Sequence, residues 1–101
     1  MSIKKNYLTT KPMCKVTFKL DKNLANSAHN VNLVGDFNEW NETNIKMKKL
    51  KNGDFSVSLE LDLGKDYEFR YLVDSIDWLN EPEADKYAPN AFHSENSVVT
   101  I

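Results

Sequence analysis

The stretch FSVSLELDLGKDYEFRYLVD, residues 55–74, sets one kind of side chain against another at every second position. Phe55, Val57, Leu59 and Leu61 alternate with Ser56, Ser58 and Glu60. After Gly64, the row Tyr67, Phe69, Tyr71 and Val73 faces away from the row Glu68, Arg70, Leu72 and Asp74. A period of two belongs to β-strands with one face buried, because successive side chains point to opposite faces.

The same period continues outward. Towards the N-terminus, Val16, Phe18 and Leu20 alternate with Thr17 and Lys19, and Val31, Leu33 and Val34 form a short strand broken by Gly35-Asp36. A third, irregular strand ends at Met47 and Leu50. Asn52-Gly53 then predicts a type I′ hairpin, whose two central residues need positive φ. Towards the C-terminus the chain passes through Trp78, runs through a loop from Glu81 to Glu95 with prolines at 82 and 89, and closes with a strand from Ser97 to Ile101. Only Lys4–Thr10 and Glu83–Tyr87 could make short helices. Six or seven short strands at spacings of about 8–12 residues predict an all-β antiparallel sandwich. A chain of 101 residues is one domain. Residues 14–101 form it, and residues 1–13 read as a tail, flexible or a short helix. The predicted interior is Phe18, Leu33, Phe55, Val57, Leu59, Phe69, Tyr71 and Val98.

Composition excludes several functions. A hydrophobic share of 41% and a charged share of 28% are ordinary for a globular chain, and a net charge of -2 does not suit nucleic acid. Lys46, Lys48, Lys49 and Lys51 read as a solvated hairpin face. Cys14 is alone, so no intrachain disulfide forms. No run approaches the ~20 apolar residues that span a bilayer, and no apolar stretch follows Lys4-Lys5 as in a signal peptide; a cytoplasmic protein is expected. His29 and His93 have no Cys or carboxylate at metal-ligand spacing. Three glycines cannot build a phosphate loop, no serine sits in a nucleophile elbow, and the fifteen carboxylates form no marked pair. No catalytic residue, metal or cofactor is expected.

Aromatics in polar surroundings remain. Trp40 follows Asn38-Glu39, Trp78 follows Ser75-Ile76-Asp77, and Phe92 lies between Asn90-Ala91 and His93-Ser94. Each Trp could fold back as a lid on the core. Alternatively the two form flat apolar platforms rimmed by hydrogen-bonding groups, which suit a sugar ring with its C–H face and peripheral hydroxyls. Arg70 lies on the strand face opposite Tyr67, Phe69 and Tyr71.

These residues carry a resemblance. Val31-Asn32-Leu33-Val34-Gly35-Asp36-Phe37-Asn38-Glu39-Trp40, then Asn52-Gly53-Asp54-Phe55, then Tyr67-Glu68-Phe69-Arg70-Tyr71-Leu72-Val73-Asp74, with Trp78 and Asn96-Ser97-Val98-Val99, resemble carbohydrate-binding module family 48. These are immunoglobulin-like early-set domains that bind glycogen and starch. They occur before isoamylases, pullulanases and branching enzymes, and in the β subunit of AMP-activated protein kinase. The likeness covers about residues 14–101 and is similar to that of small free-standing bacterial early-set proteins. It implies stacking on Trp40 and Trp78, a basic contact from Arg70 (lysine in the kinase modules), and late-loop contacts from Phe92, Ser94 and Asn96. Phe37 would anchor the turn on the core. The family often has glycine where Ser75 stands, and Phe-Gly where Phe92-His93 stands.

The implied function is a non-catalytic module for α-1,4-glucan. Two stacked rings and a few hydrogen bonds suggest a Kd on the order of tens of micromolar to millimolar. The alternative is a domain that binds no sugar and docks on a glycogen-metabolising enzyme.

Overall fold

The computed structural model describes residues 2–25, 28–91 and 94–101. The alternation of residues 55–74 becomes two eight-residue strands that are consecutive in the chain but lie in different sheets. Numbered along the chain, the strands are β1 Ile3–Tyr7, β2 Met13–Leu20, β3 Val31–Gly35, β4 Lys48–Lys49, β5 Phe55–Asp62, β6 Asp66–Val73, β7 Asp77–Leu79, β8 Lys86–Pro89 and β9 Glu95–Thr100. One helical turn, α1, spans Lys22–Ala25. The first sheet has the order β1-β2-β5-β4 and the second β3-β6-β9-β8, with β7 paired to β6. Every pairing is antiparallel, as an immunoglobulin-like sandwich requires.

The inward rows meet as the alternation predicts. Val16, Phe18 and Leu20 of β2, Leu33 of β3, Phe55 and Leu61 of β5, and Phe69 and Tyr71 of β6 are buried. The Phe18 and Phe69 rings meet edge to face across the sandwich at 5.0 Å, and Phe69 meets Tyr71 at 5.8 Å. Val57 and Leu59 are only partly buried. The reason lies in β4, which covers β5 only at Phe55 and Ser56 and leaves the rest of that edge open.

Other expectations are corrected. Residues 3–7 are neither flexible tail nor helix but β1, with Ile3 opposite Phe18 and buried. Lys5 ties this edge across the sandwich to Asp85 at 2.7 Å. The predicted helix at Glu83–Tyr87 is a turn leading into β8. The hairpin at Asn52-Gly53 exists, but only Gly53 has positive φ (97°), so it is not type I′. Gly53 N–H donates to Leu50 C=O and Leu50 N–H to Asp54 C=O, a three-residue loop ending in a left-handed glycine. Val98 is buried, but it pairs with Glu68 on the outer face; Val99, opposite Tyr67, takes the inner position.

That outer face positions the site. Val34, opposite Arg70, Leu72, opposite Trp78, and Val98 are all buried, yet none belongs to the cluster between the sheets. The second sheet therefore carries buried apolar residues on both sides, and on the outer side they share the face with Glu68 and Arg70.

Candidate functional site

The turn after β3 is built around two side chains. A 3-10 turn spans Asp36–Asn38, and the Asn38 carboxamide stitches it together. Its oxygen accepts from Gly35 N–H at 3.0 Å. Its nitrogen donates to Asn41 C=O at 3.0 Å and Asn44 Oδ1 at 2.8 Å. Phe37 turns inward, 5.8 Å from the Phe18 ring and 6.4 Å from Phe69. This inward anchor requires Gly35: a Cβ there would lie 2.4 Å from Glu68 C=O, 2.7 Å from Phe69 Cβ and 3.0 Å from Phe37 Cζ.

Trp40 then lies half-buried in the wall of a cleft that Arg70 shares. Glu39 (φ 56°) and Trp40 (φ 58°) are both left-handed, a conformation costing non-glycine residues roughly 1–2 kcal/mol each. The indole is also fixed: Trp40 Nε1–H donates to Asp36 Oδ1 at 2.9 Å, while Asp36 Oδ2 accepts from Glu68 N–H at 2.8 Å. One carboxylate thus clamps the Trp40 ring to β6.

Trp78 lies on a strand rather than in a loop. Asp74 (φ 52°) and Ser75 (φ 60°) turn the chain back, Ile76 N–H donates to Val73 C=O, and β7 pairs with β6 so that Trp78 faces Leu72. The Asp74 carboxylate accepts from the backbone N–H groups of His29 at 2.8 Å and Asn30 at 2.9 Å. The Asn30 bond, with that from His29 and the nearby positive charge, holds Asp74 below its ordinary value of 3.8. The Trp78 side chain remains 39% exposed, which a core lid would not be.

Arg70, the only arginine in the chain, lines the same cleft as the two tryptophans. Its Nη2 donates to Ser94 Oγ at 3.0 Å and its Nε to Asn80 Oδ1 at 3.4 Å. Asn96 donates to Glu68 Oε1 and accepts from Asn90 Nδ2, both at 3.1 Å. Trp40, Glu42, Arg70, Trp78, Asn90 and Asn96 line one cleft of 570 Å³. Four of the six residues named from the sequence thus share a cleft, and Ser94 reaches it through Arg70. Phe92 lies outside the described residues.

Three contributors were missed. Glu42 stands two residues after Trp40 in the same turn, and Asn90 precedes the late loop. Asn80, just after Trp78, also accepts from Ser97 N–H at 3.0 Å and Ser97 Oγ–H at 2.8 Å. Asn80 and Ser97 join the cleft to a buried pair below. Ser97 Oγ accepts from Glu81 N–H at 2.7 Å, and the wholly buried Glu81 carboxylate accepts from Tyr71 O–H at 2.7 Å. Burial, and then the Glu81 charge, push the Tyr71 hydroxyl far above its ordinary range, so it stays a donor.

Chemically the cleft offers apolar ring faces, a cationic donor, amides and one carboxylate. Among the described residues no group of three or more His, Cys, Asp or Glu side chains could hold a metal ion. Among them, too, no helix is long and apolar enough to cross a membrane.

Comparison with known proteins gives two matches. The family model described as "Carbohydrate-binding module 48 (Isoamylase N-terminal domain)" matches residues 11–91. The chain is also similar to "Protein PTST homolog 2, chloroplastic" of Arabidopsis thaliana, 49% identical over 57 residues. That match covers 56% of this chain and 10% of the plant protein.

Proposed function

Because the chain belongs to the carbohydrate-binding module 48 family, we propose that it is a non-catalytic α-glucan-binding module working in the cytoplasm. The observation that carries this is the convergence of Trp40, Trp78, Arg70 and Asn96 on one cleft over the outer face of the second sheet. Glucose rings stack their C–H faces on the two indoles, whose area supplies most of the binding free energy. Arg70 and the Asn90–Asn96 amides meet the hydroxyls, and Ser94 and Asn80 hold the guanidinium in place. Phe92, from the late loop, adds an apolar contact.

The tryptophans come from a turn and from a short strand, so their rings suit a curved α-1,4 chain better than a flat β-1,4 ribbon. Titration calorimetry tests this with maltoheptaose, the cyclic seven-glucose α-1,4 ring and cellohexaose. The ring, already curved, loses less conformational entropy and binds at least as tightly as the linear chain, and both exceed cellohexaose. Trp40→Ala or Trp78→Ala removes roughly 1.5–3 kcal/mol of apolar contact, a loss of about ten- to a hundredfold or more. Equal binding of cellohexaose overturns the choice of ligand. Unaltered binding in both tryptophan variants overturns the site.

A second role is favoured by the match to a stretch forming only a tenth of a longer plant protein. In such a setting the module brings an attached or docked glycogen-metabolising enzyme to its polymer.

A further inference from the structure

Glu42 is held by its backbone, while its exposed carboxylate has no partner among the described residues. Its carbonyl accepts from the Asn32 carboxamide. The residues after it are fixed by Asn41 Oδ1, which accepts from Thr43 N–H at 2.9 Å and Asn44 N–H at 3.1 Å. The turn therefore sets Glu42 in the wall of the cleft that Trp40 also lines. Among the described residues, no cation or hydrogen-bond donor pairs with that carboxylate.

Among the described residues, the cleft's other polar groups are donors, or amides already engaged in hydrogen bonds. Trp40 Nε1–H is spent on Asp36, and Asn96 is engaged on both sides, by Glu68 and Asn90. Arg70 has no acceptor atom, and its remaining N–H groups can only give hydrogen bonds. A glucose hydroxyl has a proton to donate as well as lone pairs to fill; the Asn90 and Asn96 amide oxygens each already accept one hydrogen bond, so the Glu42 carboxylate is the stronger acceptor for those protons. The two Glu42 oxygens fit adjacent hydroxyls of one ring.

Charge adds a second consequence. Among the described residues, Arg70 is the one cation lining the cleft and Glu42 the one anion, with the Glu68 carboxylate held by Asn96 adding to the negative side. With two carboxylates to one guanidinium, the charges there oppose a phosphate on the sugar and leave an uncharged hydroxyl without penalty.

We propose that Glu42 is a specificity-determining residue of the cleft, accepting glucose hydroxyls and selecting uncharged glucan over glucan bearing a phosphate monoester. This rests on the glucan-binding reading, and its test separates the two. Chemical-shift titrations, which follow millimolar affinities, compare maltoheptaose with maltoheptaose carrying a 6-phosphate on the wild type, Glu42→Gln and Trp40→Ala. The wild type prefers the uncharged sugar. Glu42→Gln, at an exposed position, keeps its melting temperature, loses about 5- to 20-fold for maltoheptaose, and narrows or reverses the preference. Trp40→Ala weakens both sugars alike. Glu42→Gln with wild-type affinity and an unchanged preference overturns this role while leaving the module reading intact, provided Trp40→Ala still loses binding. A wild type that binds neither sugar overturns both.

Discussion

Replacing Gly35 by alanine asks whether the inward anchor of the β3 turn is as tight as the geometry says. The backbone at Gly35 is extended, so any residue could adopt it, and only space is at issue. The added methyl would meet Glu68 C=O at 2.4 Å and Phe69 Cβ at 2.7 Å, both fixed in β6, and Phe37 Cζ at 3.0 Å. None of these is the free end of a flexible chain, so β3 must part from β6 or the Phe37 ring must leave the core. Overpacking of this kind costs typically 1–3 kcal/mol, and this case falls at the upper end. The stiffer unfolded chain returns about 0.4–1 kcal/mol. A net loss of about 2 kcal/mol lowers the melting temperature of a domain this size by roughly 8–16 °C. Differential scanning calorimetry reads it directly. Because Trp40 hangs on the same turn, glucan binding should fall even at temperatures where the variant is folded. A variant that melts within about 2 °C of the wild type and binds normally would show that the close approach is not what holds the turn.

Three further outcomes follow from the geometry. Ser75→Gly relieves a left-handed residue without touching a hydrogen bond of Asp74, and should raise the melting temperature by a few degrees, about 0.5 kcal/mol; a drop would refute the strain. Tyr71→Phe leaves the buried Glu81 carboxylate without its hydroxyl donor and should cost about 1–3 kcal/mol while leaving the tryptophan cleft its shape; an unchanged chemical-denaturation midpoint would count against it. Asp54, Asp66, Asp74 and Asp85 all titrate below the ordinary 3.8. The main causes are the Lys22 N–H for Asp54, Lys86 for Asp66 and the Asn30 N–H for Asp74. For Asp85 burial pulls upward, and Lys5 and the Thr100 N–H outweigh it. The unfolded chain then binds more protons than the native one in this range, so their stabilisation is complete above 3.8 and is lost as pH falls through the lower native values. Melting temperature should hold from about pH 7 to 5 and drop steeply below about 4. A flat profile down to about pH 2.5 would refute these assignments.

Strands with one wet face were legible, because Ser56, Ser58 and Glu60 interrupt the apolar row of β5. Legibility failed where that contrast disappears. Val98 and Val99 are neighbours in a sheet buried on both faces, so alternation could not say which points inward, and a one-residue slip reverses the answer. β1 carries a single buried side chain, Ile3, and its Lys4-Lys5-Asn6 gives no period to detect. In the site, Trp40 and Trp78 stood out because large aromatics are unusual in polar turns, and Arg70 because it lies on the strand face opposite Tyr67, Phe69 and Tyr71. Asn80 and Asn90 did not, since asparagine is common in turns for its own hydrogen bonding. Glu81, between Asn80 and Pro82, reads as solvated loop; only the distant Tyr71 and Ser97, brought together by the fold, explain its burial.

The strand order also has a kinetic meaning. Val16 pairs with Leu59 and Tyr67 with Val99, so both sheets are closed by partners far apart in the chain. Such topologies reach their transition state slowly, in milliseconds to seconds, because loop closure must precede the contacts that reward it. The cleft draws Trp40, Arg70, Trp78 and Asn96 from four separate segments of the second sheet and its turns. It is complete only when β3, β7 and β9 have all docked on β6. On the proposed reading, a glucan would have nothing to grip in a half-assembled chain. Saturating sugar should leave the refolding rate untouched and slow unfolding alone, turning even a weak ligand into a lock on the finished sheet.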